Sequence, residues 1–338
     1  MRPPFRTFHP LAAFALLAFV ASGSLIGCDA VINDDFEAQT VVSAFLGAGE
    51  PMSEVRIRTT SPFLDPFDPD ELGVDGADVS ITLLAPDGSD EATVQYRQAV
   101  SVDEAGVYVP SGTVPDVLPE RTYRLDVVVE GERITALTTV PPALETVGDA
   151  DPSVVYGDGN GPGVRVTQST QPGGRQAAFV GSTRALDPSD FEEVTIDGET
   201  RYRSIPGTGS MLTPIYARFL DCEDEPGGTV LCAEDPLQED VVIGTSPVIN
   251  EASYIDLGDG TIRVEVPFLA FGYYGQYRLT LVSLDTSYQA FVQTQAVQLG
   301  GTTLSPGEIP NVTTNIEGGL GVFGSFARAS VETIILEP

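Results

Sequence analysis

The chain has 338 residues, with 17 basic and 49 acidic side chains and a formal net charge of −32 at pH 7. Every basic residue is an arginine, since the sequence contains no lysine. Such an acidic surface repels phosphate backbones, which argues against nucleic-acid binding, and acidity without lysine is typical of proteins adapted to high salt.

The first 27 residues have the features of a lipoprotein signal peptide. Arg2 and Arg6 form a basic start, and the apolar run from Leu11 to Val20 is too short to cross a bilayer as a helix. The segment Leu25-Ile26-Gly27-Cys28 follows and fits a lipoprotein box, in which a branched apolar residue and a small residue precede a cysteine. The sequence therefore predicts cleavage after residue 27, lipidation of Cys28 and a tether over residues 28–38.

Lipidation would place the body of the protein in the cell envelope. Two or more acyl chains anchor stably, at about 0.8 kcal/mol per buried methylene. No later stretch approaches the roughly 20 apolar residues of a membrane helix, so we expect a soluble body tethered through Cys28. We expect the outer membrane as its destination, although Asp29, an acid directly after the cysteine, leaves inner-membrane retention open.

Cleavage would also remove the single histidine, His9. Together with the loss of Arg2 and Arg6, it would leave 15 basic residues against 49 acidic ones and a net charge of −34. Without histidine, the mature chain can build neither Ser–His–Asp nor Cys–His catalysis, nor a His-ligated zinc site. Carboxylate pairs, serine and tyrosine remain as catalytic material. The sequence therefore predicts a protein that is not an enzyme and that binds no cofactor or metal.

Residues 39–142 are predicted to form an immunoglobulin-like β-sandwich. Short alternating segments such as TVVSAFL, EVRIRTT, ADVSITLLA and YRLDVVVE are separated by turn residues, including Pro86-Asp87-Gly88 and Glu130-Gly131. About seven strands in about a hundred residues are typical of such a sandwich, although the immunoglobulin Cys…Trp…Cys set is absent. Pro141-Pro142 marks the predicted boundary.

One acidic run in this region has two interpretations, a calcium-binding site or a solvated acidic surface. Its aspartates lie in the segment DPFDPDELGVDGAD, at Asp65, Asp68, Asp70, Asp75 and Asp78. Their spacing does not fit an EF-hand loop. A solvated acidic surface is the favoured interpretation, with calcium ligation as the alternative.

Residues 143–338 are predicted to form a second β-rich domain. Segments such as VRVTQST, IRVEVPFLA and YGQYRLTLVSL alternate, and Asp197-Gly198 and Asp259-Gly260 are predicted hairpin turns with positive φ at both central positions. Cys222 and Cys232 are predicted to form a disulfide that closes a short loop, as expected in an exported protein. A two-cysteine metal site is the weaker alternative.

A single amphipathic helix is predicted near residues 286–299. Thr286 and Gln289 form a capping-box pair at its start, and Gly300-Gly301 can end it. We expect its apolar stripe to pack on a sheet, because apolar residues recur at helical spacing at Tyr288, Phe291, Val292, Ala296 and Leu299.

The segment GGLGVFG at residues 318–324 has the glycine spacing of a dinucleotide-binding loop. Such a loop needs a buried strand before it and a helix after it, with an acidic residue about 20 positions further on. Here the sequence SFARASVETIILEP follows and ends in a β-branched run typical of a strand. We therefore expect the glycines to allow positive φ or close chain approach, with Val322, Phe323 and Phe326 making apolar contacts around a bend.

The C-terminal part contains the segment FGYYGQYRL from Phe271, the residues Tyr288 and Phe291, and a glycine–asparagine signature at residues 311–324. In these features it resembles a large lipoprotein family known as domain of unknown function 4249. With the lipoprotein box and the early strands, the resemblance extends over nearly the whole mature chain. It implies an outer-membrane lipoprotein of a kind often encoded beside TonB-linked transporters, and it carries over no catalytic residue.

Together these features predict a membrane-tethered, non-enzymatic binding or accessory module at the outer membrane, with a TonB-linked transporter as the suggested partner and no ligand identified. One alternative is a glycan hydrolase using Asp256 and Asp259 beside Tyr273, Tyr274 and Tyr277, which the absence of tryptophan weakens. The other alternative is a structural or adhesion protein of the cell surface.

Overall fold

A computed structural model describes residues 36–62, 71–100, 105–148, 151–186, 191–196, 199–204, 243–272, 274–296 and 312–338. The chain divides into two compact units. The first comprises Met1–Ala38 and Pro62–Asp65, of which residues 36–38 and 62 are described. The second comprises Gln39–Ser61 and Pro66–Pro338 and contains all the elements below.

The described part of the second unit is mainly β, which confirms the predicted fold class. Its one α-helix, α1, spans Thr286–Ala296 and lies at the predicted position. The strands are β1 (Thr40–Gly47), β2 (Val55–Thr59), β3 (Asp78–Leu84), β4 (Asp90–Gln98), β5 (Val107–Pro110), β6 (Thr122–Val129), β7 (Glu132–Thr139), β8 (Ser153–Val155), β9 (Gly163–Thr167), β10 (Ala178–Ala185), β11 (Phe191–Ile196), β12 (Glu199–Ser204), β13 (Ile243–Thr245), β14 (Tyr254–Asp256), β15 (Thr261–Glu265), β16 (Gly275–Leu284), β17 (Ile316–Glu317) and β18 (Leu320–Leu336).

Thirteen of these strands are linked by pairing in the order β13-β10-β16-β18-β1-β2-β5-β4-β3-β6-β7-β17, with β8 pairing to β18 outside this path. Strands β14, β15 and β9 form a separate three-stranded sheet, and β11 and β12 form a hairpin. All pairings between these strands are antiparallel except two: β18 runs parallel to β1 and to β8. With β16, β18 pairs antiparallel.

The long strand β18 joins two parts of this pairing path, β13-β10-β16 on one side and the strands from β1 to β17 on the other. Its first part pairs with β1, from Val41↔Leu320 to Gly47↔Phe326. Its second part pairs with β16, from Leu284↔Phe326 to Gly275↔Ile335. The strand therefore contributes side chains to both hydrophobic clusters of the unit.

The two clusters follow from the alternation of apolar residues along the strands, which places one face of each strand inward. On β1, for example, Val42, Ala44 and Leu46 are buried. One cluster draws on β1–β7 together with Ile316 and Phe323, and the other draws on β9, β10, β15 and β16 together with Ala327 and Ile335. The division into an immunoglobulin-like domain at 39–142 and a second domain at 143–338 stays a prediction.

The predicted turns have different outcomes. Pro86-Asp87-Gly88 connects β3 to β4, and Glu130-Gly131 connects β6 to β7 with φ of 51° and 89°. The prediction for Asp259-Gly260 is wrong in detail: four residues connect β14 to β15, and positive φ occurs at Gly258 and Gly260. Asp197-Gly198 lies outside the described residues, although Ile196 pairs with Glu199 on the flanking strands.

The predicted start of α1 also needs correction. Asp285 caps the helix, because its Oδ1 accepts a hydrogen bond of 2.6 Å from the Tyr288 backbone N–H. The Gln289 side chain does not complete a capping box but accepts a hydrogen bond from Gln171 Nε2 at 2.9 Å. The expected helix end at Leu299 and Gly300-Gly301 lies outside the described residues. Among the helices that the structure describes, none is long and apolar enough to cross a membrane.

Candidate functional site

The glycine-rich segment forms the turn between β17 and β18 and the start of β18. Gly321 has a φ of 110°, and a methyl group there would lie 2.0 Å from the Val42 carbonyl oxygen. A methyl group on Gly324 would lie 2.8 Å from Tyr288 Cβ, so the first turn of α1 packs directly on the strand. These close approaches confirm the backbone explanation, and the strand that follows rules out the strand–loop–helix unit of a dinucleotide site.

Asn315 fixes the segment that precedes this turn. Its Nδ2 donates to the carbonyl oxygens of Leu137 and Phe323 at 3.0 and 2.8 Å, and its Oδ1 accepts from the Phe323 N–H at 3.0 Å. The side chain thus takes the place of a strand neighbour for both β7 and β18. Val322 and Phe323 are buried as expected, and Phe326 is half-buried.

The same close packing produces an open groove of about 420 Å³ over β1, the start of β2 and β18. Its apolar walls are Phe45, Pro51 and Phe326, and the rest of its lining is Ser43, Gly47, Glu50, Ser53, Glu54 and Arg56. Phe45 is held from behind by Tyr288 of α1, whose ring centroid lies 4.7 Å away. We refer to this surface as the phenylalanine groove.

Both carboxylates of the phenylalanine groove are paired with arginine. Glu50 accepts two bonds from Arg328, with Nε–Oε1 at 2.7 Å and a second nitrogen at 2.9 Å from Oε2. The Arg328 guanidinium also lies 5.8 Å from the centroid of Phe326. Glu54 pairs with Arg56 at 2.6 Å. The groove is therefore close to electrically neutral, although the chain as a whole is strongly acidic.

Residues 28–332 match the family described as "Domain of unknown function (DUF4249)". The chain belongs to this family. No curated protein matches it. Among solved structures, the crystal structure of trypsin activated alpha-2-macroglobulin from Escherichia coli is similar at 10% identity with a TM-score of 0.18, which does not establish a shared fold. That similarity covers 75% of this chain but 15% of the other, so the chain spans a small part of its length.

The DUF4249 signature also borders a second groove, of about 460 Å³, on the outer face of β6 and β7. Its arginines are already engaged: Arg124 binds Asp90 in two places, at 2.8 and 3.1 Å, and binds Asp126 at 2.6 Å. Arg133 also binds Asp126. Burial opposes ionisation of Asp126, but these hydrogen bonds outweigh it and lower its pKa. These arginine and aspartate side chains pair with one another, and their ion pairs stabilise the surface of the sheet.

The carboxylates of the hydrolase alternative serve the β14–β15 turn. Asp256 accepts from the Gly258 N–H at 2.8 Å, and Asp259 accepts from the Thr261 hydroxyl and N–H and pairs with Arg165. The hydrogen bond from the Thr261 hydroxyl is the main cause that lowers the pKa of Asp259. Both side chains therefore have a structural role in this turn.

The tyrosines of that alternative do not form one exposed platform. Tyr277 is buried against Phe271, with ring centroids 5.1 Å apart, whereas Tyr274 is half-buried beside Tyr156. Tyr273 lies outside the described residues.

The other predicted site residues of this DUF4249 chain have mixed outcomes. Cys28, Cys222 and Cys232 lie outside the described residues. Of the acidic run, Asp75 accepts from the Gly106 N–H at 3.3 Å, and Asp78 begins β3 with an exposed side chain. In the part of the chain that the structure describes, no group of three or more His, Cys, Asp or Glu side chains is placed to hold a metal ion.

The sequence did not point to the phenylalanine groove. The alternation of TVVSAFLG does place Phe45 on the outward face of β1, opposite the buried Ala44 and Leu46. The groove also needs Phe326 and Arg328, however, and only the parallel pairing of β1 with β18 brings these two residues to Phe45. No local sequence pattern predicts the pairing of β1 with β18.

Proposed function

We propose that this DUF4249 protein is a lipid-anchored, non-enzymatic binding module at the outer membrane, and that the phenylalanine groove holds its ligand. The groove itself is the observation that supports this proposal best. It combines two phenylalanine walls with a small number of polar groups, which is the usual composition of a ligand site, and its volume of about 420 Å³ lies in the usual range.

The pairing of charges favours a ligand with an apolar or aromatic body. Glu50 and Glu54 are each neutralised by an arginine, so the groove offers little net field to a charged ligand. Ser43 and the two ion pairs offer hydrogen-bonding groups around the apolar walls. We therefore infer a largely uncharged ligand whose apolar part lies between Phe45 and Phe326 and whose polar groups reach the rim.

The anchor is proposed from the lipoprotein box at residues 25–28. The family match begins at residue 28, the residue proposed to carry the lipid, which supports this assignment. Fully extended, the tether of residues 28–38 would reach roughly 40 Å. Anchored in this way, the groove would serve a transporter in the same membrane, and a TonB-linked transporter is the partner that the resemblance suggests.

Replacing the lipidated cysteine tests the anchor. We expect the wild-type chain, expressed with its leader, to partition into the detergent phase of Triton X-114 and into the outer-membrane fraction. Cys28→Ser should move it to the aqueous phase, because the acyl chains supply the membrane affinity. Ser24→Ala, in the same leader, is the matched control and should partition like wild type. An aqueous wild-type protein with an unmodified residue 28, shown by mass spectrometry, would overturn the anchor.

Filling the groove tests the binding site. N-phenyl-1-naphthylamine is an uncharged aromatic probe whose fluorescence rises in apolar surroundings. It should bind the purified protein saturably. Ser43→Trp places an indole over the groove and should reduce probe binding at least tenfold, which corresponds to about 1.4 kcal/mol. Leu269→Trp is the matched control, since Leu269 is 67% exposed and lies outside the groove lining.

Equal probe binding by wild type and Ser43→Trp would contradict the groove assignment, as would a larger loss for Leu269→Trp. Thermal unfolding of all three proteins checks that the tryptophans have not changed the fold. Because this assay needs no lipid anchor, its failure leaves the anchoring proposal untouched.

A further inference from the structure

Asp285 is the most deeply buried acid among the described residues, with 4% of its surface exposed. It stands between β16 and α1 and faces two other strands. Its Oδ2 contacts the hydroxyl groups of Thr138 on β7 and Ser325 on β18, the latter at 3.3 Å. Its Oδ1 accepts from the Tyr288 N–H at 2.6 Å. One carboxyl group therefore joins α1 to strands from both hydrophobic clusters.

Asp285 Oδ2 and the two hydroxyl oxygens form a closed triangle. Thr138 Oγ1 and Ser325 Oγ lie 2.7 Å apart, and each also contacts Asp285 Oδ2. Three oxygen–oxygen contacts need three hydrogens, but the two hydroxyl groups supply only two. With Asp285 ionised, one contact has no donor. A proton on Asp285 supplies the third hydrogen and completes the ring.

Among the described residues, the groups that face Asp285 include no cation that could compensate its charge when it is ionised. From β7 the facing group is Thr138, from β18 it is Ser325, and from α1 it is the Tyr288 N–H. The one titratable side chain among the groups that face it is the Tyr288 phenol, which is neutral when protonated and so offers no positive charge. The nearby Gln171–Gln289 pair is uncharged. Burial without a counter-ion favours the neutral carboxyl group.

The first turn of α1 is also the support of the phenylalanine groove. Tyr288, whose N–H binds Asp285, packs on Gly324 and against Phe45. Further along the helix, Thr294 Oγ1 accepts from the Thr313 N–H at 2.9 Å. If the contacts of Asp285 weaken, the change would therefore reach Phe45 through the side chain of Tyr288 alone.

We propose that Asp285 is a proton-dependent latch, which docks α1 on β18 when protonated and loosens the Tyr288–Phe45 wall of the groove when ionised. The protein is thus expected to hold its groove rigid in acid and to loosen it as the pH rises. The regulation of the groove rests on the proposed function, whereas the proton-dependent docking of α1 does not.

The direction of the pH effect follows from linkage. Burial raises the pKa of Asp285, and the hydrogen bonds from Thr138, Tyr288 and Ser325 only partly oppose this. Because the folded state then binds the proton more tightly than the unfolded chain, the stabilisation is complete below the ordinary pKa of aspartate. It is lost as the pH rises through the higher pKa of the folded state.

Hydrogen exchange of the α1 amides at a series of pH values tests the latch. Measurements at about 1 M NaCl, where the Debye length is about 3 Å, suppress general charge repulsion. After correction for intrinsic exchange rates, we expect the protection of amides 288–294 in wild type to fall several-fold as the pH rises from below the ordinary pKa of aspartate to neutral. Asp285→Asn carries a permanently neutral amide that supplies the missing donor, so its protection should not change with pH. Asp158→Asn, at an exposed position, should behave as wild type.

Three results would overturn the latch: protection in wild type that is independent of pH, an equal pH dependence in Asp285→Asn, or lower protection in Asp285→Asn than in wild type at all pH values. Ser325→Ala provides a second route if Asp285→Asn fails to fold. It removes one hydrogen bond that favours the ionised carboxylate, so the pKa of Asp285 should rise further and the loss of protection should move to higher pH. A loss of protection at an unchanged pH would contradict the latch. The readout uses no groove ligand, so it fails or succeeds independently of the fluorescent-probe assay.

Discussion

Gly321 shows how a single missing side chain positions two strands. Two effects reserve this position for glycine: its φ of 110°, and the Val42 carbonyl oxygen that would lie 2.0 Å from a methyl group. The first effect costs any L-residue about 1–2 kcal/mol. The second requires β1 and β18 to separate, which would disturb the pairing that brings Phe45 and Phe326 together.

A comparison of two glycines separates these effects. Gly321→Ala should lower the free energy of unfolding by about 2–5 kcal/mol, the sum of the backbone cost and about 1–3 kcal/mol of overpacking. Gly173→Ala is the matched control, because Gly173 has a φ of 92° and open space around it. It should cost only about 1–2 kcal/mol. Chemical denaturation of both variants gives the values, and equal losses would show that the contact with Val42 contributes nothing.

At the scale of elements, the turn of the β6–β7 hairpin contains a residue in a disfavoured backbone conformation, which a substitution could relieve. Glu130 and Gly131 form its two-residue turn, and both have positive φ. Such turns favour Asn-Gly, because asparagine tolerates this conformation better than glutamate does. The glutamate therefore holds a conformation that its side chain disfavours.

Glu130→Asn should raise the free energy of unfolding by about 0.5–1 kcal/mol. Glu132→Asn, two residues further on in the same hairpin, makes the same chemical change on β7. It should be neutral or destabilising, because asparagine is disfavoured in strands. The denaturant midpoints of the two variants test this expectation. An equal stabilisation of both variants would indicate that reduced charge, rather than turn geometry, is the cause.

The hairpin also illustrates what the sequence predicts well. Alternation and turn residues depend on neighbours a few positions away, so the β6–β7 hairpin and the location of α1 were both predictable. The cap of α1 was predicted wrongly, because the spacing of Thr286 and Gln289 fits a capping box. The packing of Thr138 and Ser325 around Asp285, which selects Asp285 instead, depends on distant strands. The phenylalanine groove depends on pairing between distant strands, which local patterns do not contain.

For the whole molecule, the excess of acidic residues sets a dependence on salt. With a formal net charge of −32 at pH 7, mutual repulsion destabilises the compact state. Raising NaCl from about 0.1 M to about 1 M shortens the Debye length from about 10 Å to about 3 Å. The melting temperature should therefore rise by several degrees over this range.

Differential scanning fluorimetry in NaCl checks this expectation, and KCl at equal concentrations is the control, since general screening does not distinguish the two cations. A melting temperature that stays constant or falls with salt would argue against charge repulsion. A rise in only one of the salts would indicate a specific ion site instead.

The parallel pairing of Val42 with Gly321 also has a consequence for the order of assembly. During synthesis, β1 emerges long before its neighbour β18, and one of its hydrogen-bonding edges stays open until then. Loop closure over so long a separation slows folding, and an open strand edge invites pairing with other chains. We therefore expect a newly made molecule to be prone to pairing with other chains until its last long strand is complete.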